Sequence, residues 1–158
     1  MPRQYWLMKS EPASYSIDDL QRDGVSCWDG VRNYQARNFM RDEMKVGDEA
    51  LFYHSGSDGP EGEPGVAGVM RIAAPAYPDH HALDPDTCDH DPKATKDNNP
   101  WLMVDVEFVE KFPNYVPLRR LRAEPRLQGL ALLQRGQRLS ILPVSRQHFD
   151  LIRKMGKG

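Results

Sequence analysis

Leu102, Val104, Val106 and Phe108 are apolar, and Asp105 and Glu107 fall between them. A repeat of two cannot follow one side of a helix, whose faces recur every ~3.6 residues, so 101–109 predicts a strand with one face in a core. The rest of the chain must supply the remaining sheet and its cover. Apolar runs at 4–8, 49–54 and 66–72 predict three more strands, the last buried on both sides, and a short strand is expected near 139–142. Ser16 reads as a helix N-cap with Asp19 as its reciprocal partner, Tyr15 and Leu20 in staple positions, and Gly24 as the stop. A second helix is expected over 33–44, with Ala36, Phe39, Met40 and Met44 as its stripe and Gly47 ending it. A helical turn near 118–121, a Leu-rich stretch at 130–133 and a last helix capped by Ser145, with Phe149, Ile152 and Met155 inward, complete the set. The Gly- and Pro-rich run 56–65 and the acidic stretch 79–100 read as loops. No βαβ rhythm, dinucleotide glycine fingerprint or Walker sequence is present, which points to a small α+β domain on a curved sheet or barrel.

A chain of 158 residues fits one domain spanning 1–158. No window approaches ~18 consecutive apolar residues, and residues 1–12 lack the apolar core of a secretory signal. Cys27 and Cys88 are too few for a disulfide scaffold. We therefore expect a reduced, cytoplasmic protein with no membrane association. The net charge of −2 is unevenly spread: residues 110–158 hold eleven Lys/Arg against three Asp/Glu, and 1–109 hold ten against twenty. Arg119, Arg120, Arg122, Arg126, Arg135 and Arg138 could form a phosphate-binding face or simply a solvated one. Arg138, beside a predicted strand, is expected to be the semi-buried member.

Trp28 stands in the segment 27–34, expected to be a loop between two helices. An indole there either stacks on a flat ligand or plugs the core, and local sequence leaves both open. Lys9 and Ser10 follow the first strand, where polar side chains can meet a ligand or merely close a turn at Pro12. Tyr53, His54 and Ser55 end another strand, with His54 either a hydrogen-bonding wall or structural. His80, His81, Cys88, Asp89 and His90 are metal-ligand types, but their spacing matches no standard zinc pattern, and no metal is expected.

The runs YWLMKSEP (5–12), YSIDDL (15–20), WDGVRNYQARNFMRDEMKVGDEALFYHS (28–55), GVAGVMRIAAPAYPD (65–79), WLMVDVEFV (101–109) and QRLSILPVS (137–145) resemble the EVE domain family of the PUA-like superfamily, distantly akin to the YTH readers of methylated adenine. The resemblance implies a PUA-like curved β-barrel of about five to six strands with surrounding helices. It also implies a pocket for a modified base of DNA or RNA. Lys9 and Ser10 match the YTH-like pair after the first strand, and Trp28 matches the cage tryptophan. Trp101 or Tyr53 would supply a second wall. Ser10 and Asn33 would read the base edge, and Arg138 would meet the backbone. The expected ligand-binding set is thus Lys9, Ser10, Trp28, Asn33, Tyr53, His54, Ser55 and Arg138, with no cofactor. The expected protein is a monomer that reads a methylated or hydroxymethylated base, and small molecules can occupy its pocket. Two alternatives stand beside this one: a PUA-like hydrolase or nuclease acting through Lys9 and Glu11, and a protein-interaction scaffold.

Overall fold

The computed structural model describes residues 3–57, 61–87 and 90–157. Strands β1 (Tyr5–Ser10), β2 (Val25–Trp28), β3 (Glu49–His54), β4 (Gly65–Ile72), β5 (Tyr77–Pro78), β6 (Leu102–Pro117) and β7 (Ile141–Val144) form one mixed sheet. Its order is β2-β6-β4-β3-β1-β7, with β5 paired to β6. Only β1 and β3 run parallel. The α+β expectation holds. Among the described residues there are seven strands, β2 and β5 being additional to those expected, and no ladder joins β2 to β7, so the sheet stays open.

Among the described residues, four α-helices accompany this sheet. In α1 (Ile17–Asp23) Ser16 and Asp19 cap each other reciprocally, and Gly24 ends the helix at φ 77°, a conformation that suits glycine. The expected second helix divides into α2 (Tyr34–Asn38) and a wide π-type turn at Phe39–Glu43. Ala36, Met40 and Met44 still bury one stripe, with Phe39 packed beside them. α3 (Leu118–Arg122) is the short turn expected after β6. α4 (Arg146–Lys157) begins where Ser145 accepts the His148 N–H, and it sets Phe149 and Ile152 inward.

Alternation along the strands sorts side chains into two cores, one per face. Trp6, Met8, Phe52, Met70, Val104 and Val106 fill the first; Leu7, Leu51, Tyr53, Val69, Phe112 and Phe149 fill the second. β3 is buried along its whole length because both faces are covered. β4 and β6 approach closely where a Cβ on Gly68 would collide with the Glu110 carbonyl, and their register shifts on either side of that point. No described helix is long and apolar enough to cross a membrane.

Candidate base-binding pocket

Trp28 is the last residue of edge strand β2, not a loop residue. The strand is four residues long and begins with the exposed Val25, so it carries no alternation to read. Beyond it opens a cavity of about 630 Å³ lined by Lys9, Ser10, Glu11, Ser14, Tyr15, Ser26, Cys27, Trp28, Asp29 and Gly30. The end of β1, the approach to α1 and the end of β2 thus converge on one hollow.

Trp28 is 7% exposed and stands edge-on to Phe52, 5.2 Å between centroids, which fixes the ring. The other two tryptophans satisfy their indole N–H groups: Trp6 donates to Asp48 at 3.1 Å and Trp101 to Asp91 at 2.6 Å. Trp28 donates no hydrogen bond among the described residues. The only buried side-chain nitrogen or oxygen without a hydrogen-bond partner among them is His54 Nδ1, so the Trp28 N–H is not sealed from solvent.

Ser10 spends its proton on the Tyr15 carbonyl at 2.7 Å, leaving its oxygen as an acceptor. Tyr15, expected only as a staple residue, is the second aromatic of the wall, and its hydroxyl donates to Asp23. Burial pushes the Tyr15 phenol up from its ordinary value. Burial and then the neighbouring Asp29 charge push the Cys27 thiol up, so this wall presents SH rather than thiolate. The loop after Trp28 is pinned by the fully buried Asp79, which accepts the Gly30 N–H, the His81 N–H and the Arg32 guanidinium. His81 Nδ1 in turn meets Asp29 Oδ2.

Lys9 lines the cavity with Ser10 and Trp28, while the remaining expected site residues lie outside its lining. Tyr53 lies in the opposite core, so it cannot be the second cage wall; β3 carries Phe52 toward Trp28 and Tyr53 away. Trp101 is also committed elsewhere, stacked on Tyr34 at 4.8 Å with Arg32 over its ring. The Lys9 ammonium turns toward Tyr53, 5.9 Å from the ring centroid, and burial lowers its pKa. Lys9 and exposed Glu11 form no hydrogen bond or ion pair with each other among the described residues. His54 is not part of the cavity lining. Its Nε2 accepts the Ile17 N–H at 3.1 Å, and burial holds its pKa below the ordinary histidine value. Ser55 joins the two strand ends through its N–H to the Ser10 carbonyl. Asn33 is exposed, and its side-chain oxygen caps α2 by accepting the Ala36 N–H. Arg138 is exposed rather than semi-buried.

Among the six arginines, Arg119 pairs with Glu63 and Arg126 with Glu124, while Arg120, Arg122, Arg135 and Arg138 make no ion pair among the described residues. Of the expected metal-type cluster, Cys88 and Asp89 lie outside the described residues. His81 instead joins Asp29 and Asp79, with ligand atoms within 4.8 Å of one another. Three protein donors already occupy the Asp79 carboxylate.

The converging strand ends of an open α+β sheet frame an aromatic and polar hollow, the kind of concave site in which small domains hold ligands. The chain belongs to the EVE domain family, whose model matches residues 4–155. It is 44% identical over 167 residues to thymocyte nuclear protein 1 of Homo sapiens, covering 94% of this chain and 72% of that one. A solved protein from Pseudomonas syringae superposes at a TM-score of 0.90 with 51% identity, covering 96% and 99% of the two chains. Human THYN1 protein, solved in complex with 5-methylcytosine containing DNA, superposes at 0.88 with 41% identity over 98% of each chain.

Proposed function

We propose that this chain is a reader of modified nucleic acid that takes one flipped or single-stranded modified base of DNA or RNA against Trp28. The observation that carries the reading is that Trp28 lines the cavity with its indole N–H unpaired among the described residues, whereas both other tryptophans have theirs satisfied. The human relative solved with 5-methylcytosine containing DNA supports it and names the first ligand to try. Tyr15 and Trp28 supply aromatic surface, and Ser10 and Asp29 supply acceptors. One buried methyl group contributes ~1 kcal/mol, so preference for a methylated over a bare base is a few-fold. Extrusion of the base costs a few kcal/mol, offset by stacking and by phosphate contacts from the unpaired arginines.

The test is titration of short oligonucleotides, with and without one 5-methylcytosine, by wild type and Trp28→Ala at two salt concentrations. Stacking on one aromatic is worth about 1–3 kcal/mol, so Trp28→Ala should bind roughly 5- to 150-fold more weakly. A thermal melt confirms that the variant is folded. Arg122→Ala should weaken all sequences alike and shallow the salt dependence by about one ion. Equal binding by wild type and a folded Trp28→Ala would refute the reading.

A further inference from the structure

The cavity lining mixes donors, among them Lys9, Ser14 and the Trp28 N–H, with a few acceptors. Ser10 has given away its proton, and Glu11 and Asp29 can only accept. Of these, Asp29 is the built one. It follows Trp28 directly and lines the same hollow. Its Oδ2 is held by His81 Nδ1, while its Oδ1 takes no hydrogen bond among the described residues. Its neighbours on both sides are fixed by a single buried carboxylate: Asp79 Oδ2 accepts the Gly30 N–H at 2.9 Å, and Asp79 Oδ1 accepts the His81 N–H at 2.9 Å. The Asp29 side chain therefore does not have to be ordered when a ligand arrives.

We infer that Asp29 is a specificity-determining residue: its free carboxylate oxygen accepts a hydrogen from the exocyclic amino group of the captured base. The inference rests on the base-reader assignment and deepens it. A carboxylate pairs with the amino group of cytosine and repels a carbonyl oxygen in the same place. The site therefore takes a cytosine- or adenine-type base and rejects its oxo counterpart. His81 acts through Asp29 and is a positioning residue.

5-Methylcytosine and thymine test this cleanly, because both carry the 5-methyl group and they differ at the 4-position and its neighbouring ring proton. Three oligonucleotides, identical except for 5-methylcytosine, thymine or an abasic residue at one position, are titrated with wild type, Asp29→Asn, His81→Asn and His81→Leu. Wild type should prefer 5-methylcytosine to thymine roughly tenfold or more. Asp29→Asn, whose amide can donate to a carbonyl, should reduce that ratio to about threefold or less while keeping its thymine affinity. His81→Asn retains a donor toward Asp29 and should keep the ratio, whereas His81→Leu should lower it. Equal wild-type binding of both bases above the abasic control, or an unchanged ratio in Asp29→Asn, overturns the role of Asp29 and leaves the reader assignment standing. Binding of neither base above the abasic control removes both.

Discussion

Trp28 and Trp101 are almost equally hidden, at 7% and 6% exposure, yet their surroundings differ in kind. Trp101 is closed on every functional group: Asp91 takes its N–H, Tyr34 covers one face, and Arg32 lies over the ring. It fastens the 79–101 segment to α2. Trp28 is held by ring packing alone and keeps its N–H free beside a hollow. Accessibility alone does not distinguish the two indoles, whereas hydrogen-bond accounting does.

The largest expected effect falls on the carboxylate that serves both regions. Asp79→Ala strips an acceptor from Gly30, His81 and Arg32 together, and should cost about 3–5 kcal/mol in a denaturant melt. It should also abolish selective binding, since the wall behind Trp28 loses its anchor. Retention of both stability and selectivity would mean that the two tryptophan regions are independent. A smaller effect separates them directly. Trp101→Phe breaks the bond to Asp91 and should melt several degrees below Trp28→Phe. Oligonucleotide affinity should rank the two variants the other way, and identical rankings in both measurements would erase the distinction. The smallest effect is a pH dependence confined to the Trp28 side. Burial lowers the His54 pKa from 6.5, so the folded chain holds fewer protons there than the unfolded one. The stability this contributes is complete above about pH 6.5 and is lost as pH falls below it. Acidification should lower Tm by a few degrees and increase hydrogen exchange at the start of α1, where His54 accepts the Ile17 N–H, while the Asp79 N–H, bonded to the Trp101 carbonyl, stays protected. His54→Gln, which retains an acceptor, should flatten that slope.

The elements with strong local chemistry were legible in the sequence. β3 runs over the expected 49–54, the Ser16–Asp19 box caps α1, and Leu102, Val104, Val106 and Phe108 all face one core. β2 was not legible, because four residues with an exposed valine carry no period. The cage wall was misplaced for a different reason. A strand buried on both faces, as β3 is, shows no alternation to say which way Phe52 and Tyr53 point. Lys9, Ser10 and Trp28 line one cavity, but nothing in the local sequence marks Tyr15, Asp29 and the Asp79 anchor as its neighbours. Asp79 meets Gly30 across 49 positions of sequence, a contact that no local pattern announces.

The strand that carries Ser10 lies between β3 and β7, with Tyr5 opposite Val144 and the Lys9 N–H donating to the Ser140 carbonyl. Contacts between such distant parts of a polypeptide require a large loss of chain freedom before they return any energy. On a ribosome the hollow is therefore finished only after residues 140–144 have emerged and folded back. A nascent chain halted before them would display an unpaired strand edge in place of a binding surface.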